Sequence, residues 1–568
     1  MVNMMKKVAF WLVIVLFIII LLKIKNIPIS SNSQIIILDC NNEEIAYINN
    51  GHKTNRESLD KIKDEYIDYI LFIEDKSFYK HNGFDIKRLI KSIYNNLTNQ
   101  SKEGASTITQ QYIKNTYLTN EKSLFRKAKE LMLAIKLENE LSKDEILSEY
   151  LSCLYFGNNI YGISNACKYY FNKDISLINK QEIVSLIALW NAPSIYSNNL
   201  IKWNKKKNII ANTLYNNGLI NNEDLLNITK DLILDINTEY INSNRLFYID
   251  QVINEFNTLN IKTSFNTPIY IKTEYDKNTE KIQSTLDINY SIISTNRDGY
   301  ITSCIGDKNY YNSSYNIAIN GNRDIGSTIK PLLYYEAIKC GFRNKKYISE
   351  KYNFEFNNEE ISVVNNSNNY YGLIGMDHAL AVSDNIYAIK THIRLGMNTL
   401  VYHLKKYGIK SKPIPSLALG SVGMSLKNLN DIYSQFFNNG VYTKSRFIKE
   451  IIIKNKLYKH SSEKLNINNQ NICNEIKNLL ANTFNTRIPH STGNSIAHLL
   501  NSKCYGKSGL TDYDSYMIGF NENNLVSVWC GDINNLKLEN SEYKRLPKEL
   551  FYKMINCLEN PGSTNNNN

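Results

Sequence analysis

The sequence predicts a multidomain chain: an N-terminal transmembrane helix, then a mainly α domain, then an α+β domain. Three observations predict it. An unbroken apolar run, Val8 to Leu22, is flanked by Lys6, Lys7, Lys23 and Lys25. From Lys61 to Tyr196 apolar residues recur at helical spacing. From Ile269 onward, short apolar or alternating runs sit between glycines. The expected boundaries are 1–28 for a cytoplasmic tip and anchor, 45–205 for the helical domain, 206–280 for a linker region, 281–558 for the mixed domain and 559–568 for a disordered tail.

The apolar run is fifteen residues long, short of the roughly 20 that a spanning helix wants. Its flanking lysines can snorkel and Ile24 extends it. A cleaved signal peptide is the rival reading, but no small-x-small cleavage site follows. The expectation is an uncleaved single-pass anchor in the cell membrane, with the bulk of the chain on its extracytoplasmic side. Lysines on both flanks orient it only weakly.

Beyond the anchor, Ser123 to Glu140 places Leu124, Ala128, Leu131, Met132 and Ile135 on one helical face. Ser142 and Glu145 form a capping box that opens the next helix, carrying Ile146, Leu147, Tyr150 and Leu151. Pro193 is expected to end the helical block, and Lys202 to Asn266 reads as a helical hairpin and linker. Ile269 to Thr273 alternates, and Gly299 to Gly306 encloses an apolar run. The nine cysteines are scattered without a CxxC pair, which argues against a disulfide framework or zinc site and for small buried hydrophobes.

Lys plus Arg is 66 and Asp plus Glu is 54, a net charge of +12. Between Glu74 and Lys136 there are twelve basic residues against six acidic. That excess suits nucleic acid, an acidic membrane surface or a phosphorylated substrate. Nucleic acid lacks any motif here and conflicts with the anchor.

In the second half, Ser327 stands three residues before Lys330 in the string GSTIKP. Other SxxK strings, at Ser77 and Ser461, read as surface. Pro331 is tolerated only in a helix's first turn, so a helix must start near Ser327. That puts the serine at the positive helix end, with Lys330 one turn on. A lysine must be desolvated or crowded by cations to act as a base near neutrality. Ser383-Asp-Asn385 and then Lys507-Ser-Gly509 follow in order.

SxxK, SDN and K[ST]G in this order resemble the penicillin-binding transpeptidases and serine β-lactamases. The resemblance implies a penicillin-binding α+β fold in which Ser327 attacks a D-Ala-D-Ala carbonyl and Lys330 takes its proton. It implies that Ser383 relays a proton to the leaving group, Asn385 holds the substrate amide and Lys507 supplies positive potential. The N–H groups of Ser327 and Leu510 would form an oxyanion hole. Pro415 to Gly420 and Asn438 to Val441 resemble family segments between the second and third motifs. Ser508, Gly509, Leu510 and Thr511 would line the substrate side of the third motif. The family usually has threonine where this chain has Leu510, and Thr511 is expected to point away because strand side chains alternate. Weakened or altered β-lactam acylation is therefore expected. No glutamate lies between Asn385 and Glu450, so the deacylating base of a class A β-lactamase is missing.

In the first half, Glu74-Asp75, Phe78, His81 and Gly83 come first, then GASTITQQ at Gly104 to Gln111 with Lys114-Asn115. Arg126-Lys127 with Glu130, Lys143 to Leu147, Tyr155-Phe-Gly157 with Tyr161-Gly162, and Ala192-Pro-Ser194 follow. This series resembles the lysozyme-like peptidoglycan glycosyltransferase domain. The resemblance implies attack by a sugar hydroxyl of lipid II or nascent peptidoglycan on an anomeric carbon with a lipid pyrophosphate leaving. Glu74 would be the general base, with Lys114 and Arg126 neutralising pyrophosphate. Glu130 would hold Arg126 or bind a divalent cation, Mg2+ or Mn2+. Asp75, Phe78, Thr107 and Gln111 would shape the pocket, His81 reads as structural, and Ser152 stands where the family usually has asparagine. The expected whole is a membrane-anchored class A penicillin-binding protein, a peptidoglycan synthase that polymerises and cross-links, inhibited by β-lactams. The alternative is an active glycosyltransferase whose second domain is a weakly active or non-catalytic binding module.

Overall fold

The computed structural model describes residues 34–49, 52–54, 57–85, 88, 106–118, 124–158, 160–237, 243–259, 261, 268–310, 313–366 and 369–559. The expected anchor, Gly104, Ala105 and the tail beyond Glu559 lie outside them. Among the described residues no helix is long and apolar enough to cross a membrane, and all nine cysteines are free.

The first half is helical because its apolar residues repeat at three and four. Helices α1 (Asp64–Glu74), α2 (Ile108–Tyr117), α3 (Leu124–Glu140), α4 (Lys143–Cys153), α5 (Ile163–Phe171), α6 (Lys180–Leu189) and α7 (Leu200–Asn216) close around one apolar core. The capping box of Ser142 and Glu145 forms as expected, and Asn179 with Glu182 builds another at α6. Two local expectations change. Leu131 is buried as expected, but the face turned to the core is Leu133, Ala134 and Leu137 with Glu130 beside them, and Ile135 is exposed. The α3 sequence is apolar on more than one side, so the spacing alone left the face open, and the close approach of Gly83 to the backbone of Ala134 selects it. Pro193 does not simply end the block: after α6 it occupies the first turn of a short helix, Pro193–Tyr196, where its missing N–H costs nothing.

Two sheets organise the rest. One is mixed, in the order β8-β7-β4-β1-β2-β3, formed from β1 (Ile35–Leu38), β2 (Glu44–Asn49), β3 (His52–Thr54), β4 (Ile269–Thr273), β7 (Ile448–Ile453) and β8 (Lys456–Lys459). Strand β1 runs parallel to β4, in the register Ile35 to Ile269, and β4 runs antiparallel to β7. The chain before the helical domain is thus woven into strands that come after it. Tyr47 of β2 also donates a buried hydrogen bond to Glu149 of α4 at 2.7 Å.

The second sheet is antiparallel, in the order β9-β10-β11-β5-β6, formed from β5 (Asn289–Asn296), β6 (Ile301–Ile305), β9 (Tyr505–Leu510), β10 (Asp514–Phe520) and β11 (Asn524–Gly531). Side chains alternate across it. Ile292, Val526 and Val528 meet the C-terminal helix α12 (Ser541–Glu559) through Leu546, Leu550 and Met554. Ile293, Leu525 and Trp529 face the opposite core. That core includes α8 (Lys330–Lys339), α9 (Met376–Val382), α10 (Asn385–Leu395) and α11 (Leu426–Phe437). Strand β9 is the sheet's edge and carries Lys507 to Leu510 past the start of α8.

Candidate active sites

The first site is built on the end of a helix. Glu74 is the last residue of α1 and Asp75 is its C-cap. A helix C-terminus disfavours carboxylates, so both acids need donors. Trp190 Nε1 donates to Glu74 Oε1 at 2.9 Å, and Gln111 Nε2 to Glu74 Oε2 at 2.9 Å. Tyr150 donates to Gln111 Oε1 at 3.0 Å, which fixes the amide with its NH2 toward Glu74. Glu74 stays half-buried. Asp75 is fully buried. Its Oδ2 accepts from His81 Nε2 at 2.9 Å and from the Ile108 N–H at 3.0 Å, and its Oδ1 lies 3.5 Å from Arg88 Nη1. It clamps the start of α2 to the end of α1, which brings Gln111 to Glu74.

Phe78 and Thr107, which the resemblance sets around the pocket, are placed inside the protein. Both are buried: Phe78 packs in the helical core, edge-on to His81. Thr107 caps α2 in a box with Gln110, and its hydroxyl donates to Gly83 O at 2.7 Å. Both are supports for Glu74 and Gln111. Lys114 is exposed, one turn beyond Gln111. On α3, Arg126 Nη1 bonds Glu130 Oε2 at 3.1 Å. Lys127 takes the other Glu130 oxygen and also donates to Ser106 Oγ at 2.9 Å. Glu130, 1% exposed, is therefore a buried carboxylate held between two cations. That donor set does not fit a divalent cation, because both oxygens are already in ion pairs. Among the described residues no cluster of three His, Cys, Asp or Glu side chains could hold one. Ser152, buried, accepts from the Glu57 N–H at 3.0 Å and donates to Ser148 O at 2.8 Å. It ties α4 to the chain entering α1.

The second site begins with a tight turn. Gly326–Ile329 is a 3-10 turn that runs into α8 at Lys330, with Pro331 in the first turn. Ser327 sits in that turn, part-exposed in a cleft of about 890 Å³. Gly326 has φ +55, and a Cβ there would lie 3.2 Å from Leu510 N. Gly420 has φ +90, and a Cβ there would lie 1.9 Å from Gly326 O. Only glycines let these three backbones meet. Their meeting sets the main chain of Leu510 against the start of Ser327, where an oxyanion hole needs it.

The SDN string is a junction. Ser383 is the C-cap of α9 with φ +60, a left-handed conformation rare outside glycine. Asp384 is the N-cap of α10 and accepts from the Tyr387 N–H at 2.6 Å. Asn385 is the first residue of α10. Its N–H donates to Asn365 Oδ1 at 2.8 Å and its Nδ2 to Val364 O at 3.1 Å.

Two buried lysines converge on Ser383. Lys330 Nζ donates to Ser383 O at 2.7 Å and Asn385 Oδ1 at 2.9 Å, and lies 3.3 Å from Ser383 Oγ. Lys507 Nζ donates to Ser383 Oγ at 2.8 Å and Ser508 O at 2.7 Å. Burial pushes Lys330 down to about 7, against the opposing pull of Asp384. Burial also pushes Lys507 well below the usual lysine range, with the charges of Lys330 and Lys548 adding to it. A neutral amine has two N–H groups and one lone pair. Ser383 O and Asn385 Oδ1 use the two N–H groups of Lys330, which leaves its lone pair for a hydroxyl. The expected contact between Ser327 Oγ and Lys330 is not made: among the described residues the Ser327 hydroxyl has no hydrogen bond. Catalytic hydrogen bonds often tighten only when substrate arrives. Ser508, Gly509 and Leu510 line the cleft with Ser327, Ser383 and Asn385. Thr511 does not. Its hydroxyl accepts from the Asp514 N–H at 2.9 Å and closes the turn between β9 and β10.

Several supporting residues escaped the sequence reading. Trp190 and Tyr150 order the Glu74 site, and Asn365 donates to Asp384 Oδ2 at 2.8 Å while accepting from Asn385. For Trp190 and Tyr150 the only signal was the polar end on an otherwise core-forming side chain; Asn365 carried none.

Residues 41–215 match the family model for transglycosylase, and residues 290–531 match the penicillin binding protein transpeptidase domain. The chain is 30% identical over 538 residues to penicillin-binding protein 2D of Bacillus subtilis, spanning 89% of this chain and 78% of that protein. It is 32% identical over 452 residues to a penicillin-binding protein 1A of Clostridium botulinum, 67% of this chain and 54% of that one. Among solved structures, penicillin-binding protein 1A of Haemophilus influenzae aligns with a TM-score of 0.56 over 94% of this chain and 93% of that chain. Its 14% identity makes that a likeness of fold.

Proposed function

The chain belongs to the bifunctional class A penicillin-binding proteins, and from that premise we propose how its residues divide the work. It is a peptidoglycan glycosyltransferase and transpeptidase. In the first site Glu74 takes the proton of the attacking sugar hydroxyl of lipid II or the growing strand, held in register by Trp190 and Gln111. Lys114 and Arg126 receive the leaving pyrophosphate, and Glu130 orients Arg126. Both Glu130 oxygens are paired, with Arg126 and Lys127, so the role they support is to orient these cations. In the second site Ser327 Oγ attacks the carbonyl of a D-Ala-D-Ala stem peptide and Lys330 accepts its proton. The amide bond breaks, D-Ala leaves with a proton delivered through Ser383, and an acyl-enzyme remains. The acceptor amine then attacks that ester and releases Ser327. The Leu510 N–H and the Ser327 N–H take the oxyanion.

One observation carries the reading of the second domain as a catalyst and not a binding module: a buried amine brought down to about 7, one turn from a part-exposed serine. We also propose that residues 8–22 anchor the chain in the cell membrane with its bulk extracytoplasmic. The test is lipid II polymerisation by the full chain, Glu74→Gln and Ser327→Ala, with muropeptide analysis. Glu74→Gln should lose polymer. Ser327→Ala should keep polymer but lose cross-links and labelling by a fluorescent β-lactam. Cross-links persisting in Ser327→Ala would overturn the assignment.

A further inference from the structure

The transpeptidase cleft does not stop at the three motifs. It continues past the edge strand β9 to the C-terminal helix α12, where Lys544, Arg545 and Lys548 line it. Lys548 lies three residues from Arg545 and four from Lys544, so it neighbours both on the helix surface. The opposite face is pinned to the sheet by Leu546, Leu550, Phe551 and Met554. Ser515 of β10 donates to Lys544 O at 2.9 Å, which fixes the first turn of the helix against the strand that pairs with Leu510. The cationic face is therefore held in place.

None of the three side chains has an ion pair or hydrogen bond among the described residues. No residue lining the cleft carries a carboxylate, again among the described residues. Lys548 is half-buried, and desolvation and Arg545 both lower its affinity for a proton. Its charge reaches Lys507, which it also depresses. Lys548, partly desolvated beside the exposed guanidinium of Arg545, carries an electrostatic cost that an anion relieves. At the same end of the cleft Leu510 presents an alkyl side chain, and the hydroxyl of Thr511 is spent on its turn.

We propose that Lys548 and Arg545 form a second cationic subsite of the transpeptidase cleft, which binds a carboxylate of the peptide substrate where Leu510 offers no hydroxyl. The inference rests on the transpeptidase reading of this cleft and names residues outside its three motifs. The carboxylate is either the terminal one of the donor peptide or one on an internal side chain.

The test separates binding from acylation. Peptide binding is measured by calorimetry on the full-length Ser327→Ala protein, so that no acyl-enzyme forms. Three peptides ending in D-Ala-D-Ala are compared: one with a free terminus, one with an amidated terminus, and one with an amidated terminus and a free internal side-chain carboxylate. Lys548→Ala should weaken the carboxylate-bearing peptide about tenfold and leave the fully amidated one unchanged. Lys548→Arg should retain affinity, and Arg545→Ala should show a smaller loss of the same selectivity. Loss for the terminal carboxylate assigns that group, and loss for the internal one assigns the other. Equal loss for the amidated and charged peptides, or no loss for either, overturns the proposal. Failure of wild type to be acylated by a fluorescent β-lactam would sink the transpeptidase reading instead, without touching the binding result.

Discussion

The acylation rate of Ser327 should follow the neutral fraction of Lys330, and that fraction can be worked out. Burial brings this lysine from 10.5 down to about 7. At pH 7 about half the molecules then hold a free base, against about one in 3000 for an ordinary lysine. The rate should fall about fivefold between pH 7 and pH 6 and about fiftyfold between pH 7 and pH 5. Above pH 8 it should level off. The assay is the second-order rate of labelling by a fluorescent β-lactam, measured across pH 5 to 9 with the probe's own stability checked at each point.

Two variants sharpen the result. Asp384 raises the affinity of Lys330 for its proton, so Asp384→Asn should move the break to lower pH. Asparagine can still cap α10, as Asp384 does through Tyr387. Lys330→Arg cannot lose its proton, so it should cost about 10³ in rate. Because Lys507 repels Lys330 across Ser383, the break belongs to the pair of amines and not to one of them. A rate that stays flat from pH 5 to 8, a break near 10, or an active Lys330→Arg would each refute the reasoning.

Four other outcomes follow from the same geometry. Trp190→Phe removes one donor to Glu74. It should slow lipid II polymerisation about tenfold, the cost of one hydrogen bond to a charged group, and leave β-lactam labelling intact. Leu510→Thr restores a hydroxyl beside the cleft and should raise the second-order acylation rate about tenfold; an unchanged rate would show that Leu510 is not limiting. Gly420→Ala puts a Cβ against Gly326 O at positive φ. Labelling of Ser327 should be lost while polymerisation persists, with the domain destabilised by more than about 2 kcal/mol. Glu57 is buried and accepts from the Ser164 N–H at 3.0 Å. Desolvation raises it to about 7, so the folded state keeps its proton while the unfolded chain loses it near 4.5. Its stabilising contribution is full below about 4.5 and is lost as pH rises through about 7, about 3 kcal/mol in all. Thermal unfolding of the helical domain should show that slope, and Glu57→Gln should flatten it.

Much of the fold was legible because it is local. The capping box at Ser142, the helical spacing of α4 and the alternation of Ile269 to Thr273 each depend on neighbours within a few residues. The mixed sheet was not legible. Ile35 to Leu38 is a short apolar run, and nothing near it names its partner at Ile269. That pairing spans the whole helical domain, and register across such a distance is set by the packed faces and not by turn chemistry. The inward face of α3 was hidden for a related reason. Several of its faces are apolar enough to be buried, and the choice between them was made by Gly83 and Ala134 across the core.

The sites divide along the same line, between residues that touch substrate and residues that make touching possible. Glu74, Ser327, Lys330, Ser383 and Lys507 are legible because chemistry restricts the residue type and the spacing repeats. Their supports are not, because many residue types can donate a hydrogen bond. Asp75 shows how far this reaches. It stands beside Glu74 in sequence, yet its carboxylate points into the protein and holds α2 and His81. A carboxylate at a helix C-terminus is electrostatically misplaced. Asp75 answers that with a backbone N–H and an imidazole, and Glu74 with an indole and an amide. Apart from His81, these donors sit on or at the ends of helices that close only when the core forms. The reactive acid is thus fixed by tertiary packing, which is why Trp190, 116 residues away, belongs to the site as firmly as the motif does.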